Sequence, residues 1–387
     1  MIQVAQANHT GNMGDTIPPM GAVPYNWTLE TCKKVKAVVS CPVATVGRVV
    51  SVEAGEKILE EGSADIIGYG RSLLTDPDIA EKVATGECIR ECLNCNKGCV
   101  DAIQSRRYIS CVLNAENGDE DTISIRPATE KKKVAVVGAG LAGLEAARVA
   151  AKRGHAVTLF EKTDRFGGQI NLASVPPRKE EISRSVKYYE KLLPELITIE
   201  MNHEPTFDEL NTFDHVILAI GAHNMDLPML VENSNVISSW DVLNGKEVSG
   251  RCVVLGGGLV GAETSEYLAK NGYDVTIVEM MDTIAAQESS TVLPLMEADF
   301  EKHHVKKFVN TKVSKIKDNV IYAVNTKDES KVEIVADTII NALGSKKNVF
   351  DDTKLTVPFT YAGDCSGERT ADIANAIRTG YTAANNI

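Results

Sequence analysis

The pattern of apolar residues repeats once along the last two-thirds of the chain. Residues 132–162 (KKVAVVGAGLAGLEAARVAAKRGHAVTLFEK) pass from a short apolar run through a glycine-rich turn to apolar residues at helical spacing, and end in a second apolar run. Residues 251–280 (RCVVLGGGLVGAETSEYLAKNGYDVTIVEM) repeat this order, glycine for glycine, 118 residues later. Short apolar runs predict buried strands, and helical periodicity predicts a helix. The pattern therefore predicts two strand–turn–helix–strand units of common design.

Strands and helices also alternate in the first 87 residues. Strands are predicted at PVATVGRV (42–49) and ADIIGYGR (64–71), with helical VEAGEKILEEG (52–62) between them. Such alternation predicts a parallel sheet, and the fold class is α/β. Residues 88–130 carry cysteines and run into a polar stretch that is typical of a linker.

Composition excludes several classes of protein. The 387 residues suffice for two or three domains. A net charge of -12 without a Lys/Arg-rich block makes nucleic acids and anionic membranes poor partners. No stretch approaches the roughly 18 apolar residues of a membrane span, and the start MIQVAQANHT lacks the features of a signal peptide. Nine cysteines, four of them clustered, suggest a reducing compartment, so we expect a cytoplasmic protein.

The first glycine-rich turn has the spacing of a dinucleotide-binding loop. Gly138, Gly140 and Gly143 form G-x-G-x-x-G between a predicted strand and helix. The glycines permit a tight turn, close approach of the pyrophosphate and close helix–strand packing, while the helix N-terminus attracts phosphate. Glu161 lies 23 residues after Gly138, where a carboxylate accepts hydrogen bonds from ribose hydroxyls.

The second turn repeats these features at Gly256, Gly258 and Gly261, with Glu279 again 23 residues after the first glycine. No arginine follows Glu279 to meet a 2′-phosphate, which favours NADH over NADPH. Because each copy has its strand, helix and acid at the right offset, the pair indicates two dinucleotide sites. The spacing alone does not say which nucleotide binds where.

The C-terminal region resembles the flavoproteins that have two dinucleotide-binding domains. The matching segments are FEKTDRFGGQ (160–169), HVILAIGA (215–222), TIINALGS (338–345) and TYAGDCSGE (360–368). The resemblance implies that FAD binds the first loop and NAD(H) binds an inserted second domain. It also places Gly167 and Gly168 along the FAD site, and Gly363 and Asp364 at the ribityl–pyrophosphate region of FAD. We find no C-x-x-C or C-x4-C pair in this region, so disulfide-reductase chemistry is not expected.

Four cysteines upstream of the first loop indicate a metal centre. Cys92, Cys95, Cys99 and Cys111 follow the spacing C-x2-C-x3-C-x11-C. A compact triple with a distant fourth cysteine favours a [4Fe–4S] cluster. Zinc held by four cysteines is the alternative, and free thiols are a third. Cys88 fits neither pattern and is expected to be buried or incidental.

The residues around these cysteines resemble one group of the Old Yellow Enzyme family, namely the 2,4-dienoyl-CoA reductases, enoate reductases and trimethylamine dehydrogenases. The matching segments are ADIIGYGRSLLTDPDIAEKVATGE (64–87), IRECLNCNKGCVDAI (89–103) and ISCVLNAENG (109–118). The resemblance implies an FMN-binding (β/α)8 barrel, then a [4Fe–4S] segment, then FAD and NAD domains. It also implies electron flow from NADH through FAD and the cluster to a flavin or another acceptor, with reduction of activated C=C bonds.

These comparisons divide the chain into four predicted parts. They are a partial barrel over residues 1–87, the [4Fe–4S] segment and linker over 88–130, an FAD-binding domain over 131–235 and 346–387, and an NAD(H)-binding domain over 236–345.

The N-terminal part matches strands six to eight of the barrel, whereas a complete barrel needs eight. The resemblance places Gly47 and Arg48 after strand seven, and Gly70 and Arg71 after strand eight, at the FMN phosphate. We expect FMN to bind only if another chain or segment completes the barrel.

No catalytic acid is assigned. The family's tyrosine proton donor would lie upstream of this sequence. With Ile17 and Pro18 as the anchor, the histidine position used by some members carries Met13, and His9 is out of register, although a proton-donor role for it stays open.

Three hypotheses follow for the function. The first is an ene-reductase-type enzyme that acts on a small-molecule substrate and whose barrel is completed by a partner subunit or by a further N-terminal segment. The second is an electron-transfer subunit that reduces an acceptor protein. The third is a fragment folded only from residue 131 onward, whose open strand edges would favour association.

Overall fold

The computed structural model describes residues 1–5, 13–367 and 372–387. The chain forms two compact units. Unit 1 consists of Met1–Ile170, Glu181–Gly221 and Asn348–Ile387, and unit 2 consists of Asn171–Glu180 and Ala222–Lys347. The four parts predicted from the sequence divide the chain more finely than these units and stay a prediction.

The strands of the described residues, in chain order, are β1 Ile2–Val4, β2 Val43–Val46, β3 Ile66–Gly68, β4 Lys133–Val137, β5 Ala156–Glu161, β6 Thr198–Met201, β7 His215–Leu218, β8 Ala222–Asn224, β9 Leu230–Glu232, β10 Val236–Ser238, β11 Arg251–Leu255, β12 Asp274–Val278, β13 Lys306–Phe308, β14 Thr311–Lys317, β15 Val320–Asn325, β16 Lys331–Val335, β17 Thr338–Asn341, β18 Ser345–Lys347 and β19 Phe359–Tyr361.

The α-helices of the same residues are α1 Met13–Thr16, α2 Leu29–Lys36, α3 Val52–Glu60, α4 Arg71–Thr75, α5 Ile79–Thr85, α6 Val100–Gln104, α7 Leu141–Lys152, α8 Ile170–Ala173, α9 Arg184–Leu192, α10 Phe207–Leu210, α11 Ser239–Leu243, α12 Leu259–Lys270, α13 Leu293–Lys302 and α14 Ile373–Asn385. Short 3-10 turns occur at Glu180–Ser183, Leu193–Glu195, Asp352–Lys354 and Gly363–Ser366. None of the helices described is long and apolar enough to cross a membrane.

Unit 1 is built around a five-stranded parallel sheet in the order β19-β7-β4-β5-β6. Helix α7 is buried along most of its length, and nine of its twelve residues are apolar or glycine. Helix α14 packs on α7 at Gly380, where a Cβ would lie 2.1 Å from the Ala142 carbonyl oxygen. This sheet places the first glycine-rich loop at the carboxyl end of its central strand.

The N-terminal residues of unit 1 form a parallel sheet in the order β1-β2-β3. Its small core comprises Val4, Cys32, Val43, Val49, Ile58 and Ala64. The parallel arrangement predicted from strand–helix alternation is therefore confirmed.

Unit 2 has a second five-stranded parallel sheet in the order β10-β17-β11-β12-β13. A four-stranded sheet in the order β16-β15-β14-β9 and the antiparallel pair β8 and β18 complete it. The two five-stranded sheets repeat one design, as the internal repeat predicts: a glycine-rich turn joins a central strand to a twelve-residue helix in each.

Candidate functional site

The first glycine-rich loop follows β4 in unit 1. Gly138 has a φ of +103°, and a Cβ there would lie 2.4 Å from the Ala219 carbonyl oxygen. A Cβ on Gly143 would lie 1.9 Å from the Gly138 carbonyl oxygen, so only glycine lets α7 pack this close to the turn. Gly140 is the N-cap of α7 and has no side chain to cap it, which leaves the first helical N–H groups for a phosphate.

Glu161 lies at the end of β5, beside this loop. One carboxylate oxygen accepts from the Ala139 backbone N–H at 2.7 Å, and the other accepts from the Thr163 N–H and hydroxyl at 2.9 and 2.8 Å. The side chain is therefore fixed at the loop, and its contact with a ribose stays a prediction.

Two further segments of unit 1 meet the same loop. Gly167 and Gly140 form a parallel bridge, and the Gly167 N–H donates to the Ala139 carbonyl at 2.8 Å. The Gln169 side-chain amide donates to the Asp364 carboxylate at 2.7 Å, which ties the FGGQ turn to the Gly363–Ser366 turn. The structure thus brings the residues predicted for FAD to one side of the sheet.

The second loop in unit 2 reproduces the first. A Cβ on Gly256 would lie 2.6 Å from the Ala342 carbonyl oxygen, and a Cβ on Gly261 would lie 1.9 Å from the Gly256 carbonyl oxygen. Gly258 is the N-cap of α12. The close match in contacts indicates that both loops are shaped for the same kind of ligand.

Glu279 follows β12 and faces this loop. Its carboxylate accepts from the Gly257 N–H at 2.5 Å and from the Met281 N–H at 2.7 Å. Met280 and Met281, which follow the acid, are 51% and 61% exposed. Because methionine carries no charge, these two residues offer no cation to a 2′-phosphate. This arrangement favours a ribose with a free 2′-hydroxyl.

The four predicted metal ligands come together in unit 1. Cys92, Cys95, Cys99 and Cys111 all line one small cavity, together with Arg71 and Thr75. All nine cysteines of the chain are free thiols. Within the described residues no group of three or more His, Cys, Asp or Glu side chains is arranged around a single metal-ion position. The donor set, four sulfurs in one cavity, is the set that an iron–sulfur cluster requires.

Local backbone geometry brings the two halves of the cysteine segment together. Asn94 and Asn96, which flank Cys95, adopt left-handed conformations with φ of +55° and +62°, which asparagine tolerates better than most residues. The Ser110 N–H donates to the Gly98 carbonyl at 2.8 Å. A Cβ on Gly98 would lie 2.5 Å from the Ser110 carbonyl oxygen, so this close approach of the two halves requires glycine.

The surroundings of the thiols in the cavity disfavour their ionised, thiolate form. Burial and the neighbouring cysteines raise the pKa of Cys95 well above its ordinary value, and burial also raises the pKa of Cys99 to about 11. Burial raises the pKa of Cys92, although the Arg71 guanidinium and the Asn94 N–H oppose the rise. A cationic centre would supply the positive charge that four neighbouring thiolates need.

The candidate FMN residues have protein partners. Arg48 is buried, forms an ion pair with Glu181, and lies over the Tyr25 ring at 4.9 Å. The Arg71 guanidinium donates to the Asn96 side-chain oxygen and to the Pro18 carbonyl, the latter at 3.1 Å. FMN binding through Gly47, Arg48, Gly70 and Arg71 stays a prediction.

Sequence reasoning missed Glu181. This buried carboxylate pairs with Arg48 and accepts from the Asn94 side-chain amide at 2.9 Å and from the Gly21 N–H at 3.0 Å. It therefore connects the N-terminal sheet to the cysteine segment. Arg184, three residues later, lies 3.4 Å from this carboxylate, but the partners that give Glu181 its connecting role lie 87 to 160 residues away, and no local pattern reveals them.

A buried ion pair on α7 was also missed. Glu145 and Arg148 form two hydrogen bonds of 2.7 and 2.6 Å, and the Tyr189 hydroxyl donates to Glu145 at 2.8 Å. Burial opposes ionisation of Glu145, but Arg148 holds its pKa below the usual value. The sequence does carry a signal here, since an acid and an arginine three residues apart interrupt an otherwise apolar helix.

Unit 2 holds a comparable network around residues 171–180. Lys179 is buried between Glu263 and Glu288, at 2.9 and 2.6 Å, and Arg178 pairs with Glu266 and Asp299. Burial raises the pKa of Glu266 to about 7, and so does a hydrogen bond in which its protonated carboxyl donates to the Asp299 carboxylate.

Two residues of the sequence lie at or near the family's histidine position. Met13 begins α1, and His9 lies outside the described residues.

Two family models match the chain. Residues 132–364 match the model described as pyridine nucleotide-disulphide oxidoreductase, and residues 5–88 match the model described as the NADH:flavin oxidoreductase / NADH oxidase family.

Several curated proteins are similar over long stretches. Bilirubin reductase of Mediterraneibacter gnavus is 49% identical over 397 residues, which cover 100% of this chain and 61% of that protein. Cinnamate reductase of Clostridium sporogenes is 35% identical over 384 residues, covering 94% of this chain and 55% of that protein. NADH oxidase of Thermoanaerobacter brockii is 38% identical over 305 residues, covering 75% of this chain and 46% of that protein. The chain therefore spans about half of the length of these relatives.

Solved structures agree on the fold. A 2-naphthoyl-CoA reductase in complex with 2-naphthoyl-CoA superposes with a TM-score of 0.88 at 27% identity, covering 100% of this chain and 60% of that one. Histamine dehydrogenase from Rhizobium sp. 4-9 superposes with a TM-score of 0.86 at 22% identity, covering 100% of this chain and 61% of that one, and this likeness supports the fold alone.

Proposed function

The chain belongs to the Old Yellow Enzyme-related NADH:flavin oxidoreductases that carry pyridine nucleotide-disulphide oxidoreductase-type domains, and from this premise we propose that it is an NADH-dependent iron–sulfur flavoprotein reductase. In this proposal FAD binds at the first glycine-rich loop, NADH binds at the second, and a [4Fe–4S] cluster is held by Cys92, Cys95, Cys99 and Cys111. When bound, these groups would accept two electrons from NADH and deliver them singly to an acceptor.

One observation carries this proposal. The four thiols line one cavity, and the segment that bears them packs directly on the core that contains α7. Leu93, Val112 and Leu113 belong to the same buried cluster as Leu141 and Leu144 on that helix. Because α7 begins at the FAD loop, this packing supports a cluster that is held on the same core as the flavin site.

The residues at each site have separate tasks. Gly138 and Gly143 shape the turn that admits a pyrophosphate, and Glu161 would orient the FAD ribose. Asp364, fixed by Gln169, would accept from the ribityl hydroxyls. In unit 2, Glu279 would select a ribose without a 2′-phosphate.

We further propose reduction of an activated C=C bond as the overall reaction. Relatives named for bilirubin and cinnamate reduction support it, since both substrates contain C=C bonds conjugated to electron-withdrawing groups. The three parallel strands β1–β3 would then be strands six to eight of an FMN-binding barrel, completed by residues beyond this sequence.

A second candidate function is an electron-transfer module that reduces a separate acceptor protein. The pairing of Arg48 with Glu181 and of Arg71 with Asn96 favours it, because these contacts take up part of the donor capacity that a flavin phosphate would use.

Anaerobic purification with quantitation of iron, sulfide, zinc, FAD and FMN tests the proposal. We expect about four irons and one FAD per chain. Cys95→Ser should lose the iron, whereas Cys41→Ser, which changes a cysteine outside the cavity, should keep it. Zinc without iron, or absence of FAD, would refute the proposal.

The two candidate functions differ in their products. An FMN-containing protein that saturates cinnamate or bilirubin with NADH supports C=C reduction. NADH-dependent reduction of an artificial acceptor, with no FMN and no saturated product, supports the electron-transfer module.

A further inference from the structure

A threonine on α4 contacts the predicted cluster ligands from outside the cysteine motif. Thr75 is the last residue of α4 and is 1% exposed. Its hydroxyl oxygen lies 3.3 Å from the Cys111 sulfur, and the residue lines the cavity shared by the four cysteines. The sequence offers no hint of this contact, since Thr75 precedes Cys111 by 36 residues.

Helix α4 is fixed at both ends, so the position of this hydroxyl is well determined. At its start, the Arg71 guanidinium donates to the Asn96 side-chain oxygen and to the Pro18 carbonyl. Near its end, the Leu74 carbonyl accepts from the Asn114 side-chain amide at 3.0 Å. Both asparagines belong to the segment that carries the cysteines, so the helix and the segment hold one another in register.

The ordinary role for this threonine is a hydrogen bond along its own helix. The Thr75 hydroxyl lies 3.2 Å from the Arg71 carbonyl oxygen, the usual partner of a threonine four residues later in a helix. A free thiol at Cys111 could donate to the threonine oxygen while the hydroxyl donates to that carbonyl. A metal-bound thiolate has no proton to donate and can only accept, which leaves the threonine as the donor in the contact.

We propose that Thr75 is a positioning residue of the cysteine centre, whose hydroxyl donates to the Cys111 sulfur and raises the reduction potential of the cluster bound there. This inference rests on the proposed [4Fe–4S] site. A hydrogen bond to a ligand sulfur draws electron density from it and stabilises the more negative, reduced state of the cluster. The Asn94 N–H acts in the same sense on the Cys92 sulfur, at 3.3 Å. Thr75 is thus a side-chain donor beside the backbone N–H groups of Asn94, Lys97 and Val100, which also donate to cysteine sulfurs, and it can be removed by mutation.

The test is a redox titration of the purified holoprotein, followed by electron paramagnetic resonance of the reduced cluster. Thr75→Val removes the hydroxyl at nearly constant volume, and Thr75→Ser keeps it. Thr85→Val is the matched control, because Thr85 donates to the Glu81 carbonyl in the same manner on α5 but lies on the exposed surface. We expect a more negative midpoint potential for Thr75→Val, with Thr75→Ser and Thr85→Val titrating as the wild type does.

The outcomes separate this inference from the proposed function. A Thr75→Val protein with full iron content and an unchanged midpoint potential would refute the role of the hydroxyl. If Thr75→Val assembles no cluster, full iron in Thr75→Ser supports the need for the hydroxyl, and loss of iron in both variants overturns it. A wild-type protein without iron would instead refute the [4Fe–4S] proposal, and this inference with it.

Discussion

The tightest constraint on the cysteine centre is a glycine, and Gly98→Ala should abolish cluster binding. A Cβ at this position would lie 2.5 Å from the Ser110 carbonyl oxygen, whereas contacts closer than 3.4 Å are rare for real Cβ atoms. The two halves of the segment would therefore have to separate by up to about 0.9 Å, because the contact is with backbone that cannot rotate away. Metal sites tolerate ligand displacements of only about 0.2 Å.

A displacement of this size would move two of the ligands directly, since Cys99 follows Gly98 and Cys111 follows Ser110. We expect Gly98→Ala to retain FAD but to contain little iron, measured as iron and flavin per chain after anaerobic reconstitution. Overpacking of this kind costs about 1–3 kcal/mol, so the protein should still fold. Gly62→Ala is the control: Gly62 has a φ of +67° and nothing within 4 Å of a new Cβ, so the variant carries a backbone penalty without a clash. Full iron in Gly98→Ala would refute the reasoning.

Three further predictions address the nucleotide sites and unit 2. Gly143→Ala and Gly261→Ala each place a Cβ 1.9 Å from a carbonyl oxygen. Gly143→Ala should lose FAD, whereas Gly261→Ala should keep FAD and lose NADH binding, as measured by flavin content and isothermal titration. Loss of FAD in both variants would contradict the assignment. Glu279→Arg should raise the KM for NADH about 10-fold or more in an artificial-acceptor assay, because it removes a charged acceptor at the ribose. The preference of the protein for NADH over NADPH should become smaller, and an unchanged preference would count against the role of Glu279. Because the pKa of Glu266 in the folded protein is raised to about 7, folding favours the protonated acid, so the contribution of this residue to stability should be lost as pH rises from about 4.5 to 7, by up to about 3 kcal/mol. Denaturant titrations should show this slope in the wild type and a flatter one in Glu266→Gln; equal slopes would refute it.

The sequence predicts the nucleotide loops well because their requirements are local. The clash that makes Gly143 necessary involves Gly138, five residues earlier, and the equivalent clash at Gly261 involves Gly256. Each loop needs a strand, a turn and a helix in one continuous stretch, and periodicity predicts all three. The parallel α/β fold follows from such stretches and is confirmed. The family, predicted from segments between residues 64 and 118 and from the C-terminal flavoprotein segments, is confirmed too.

The surroundings of the cysteines were beyond prediction for the opposite reason. The role of Thr75 depends on its contact with Cys111, 36 residues away, and the role of Glu181 depends on its ion pair with Arg48, 133 residues away. A glutamate in a polar stretch and a threonine at a helix end have no local feature that distinguishes them from solvated residues. Glu181 is 8% exposed and Thr75 is 1% exposed, and this burial results from packing between distant segments.

The cysteine segment depends on these distant contacts because it has little structure of its own. Residues 87–96 form neither helix nor strand, so no regular hydrogen-bond ladder holds Cys92 and Cys95. Their backbone is held from outside: the Arg184 guanidinium donates to the Cys92 carbonyl at 2.8 Å, and the Arg90 N–H donates to the Asp76 carboxylate at 2.8 Å. A segment anchored in this way can present four thiols before a metal arrives, which lowers the ordering cost of binding it. Loss of iron in Gly98→Ala would then reflect altered geometry within a folded segment, whereas a change of potential in Thr75→Val would reflect the sulfur environment alone.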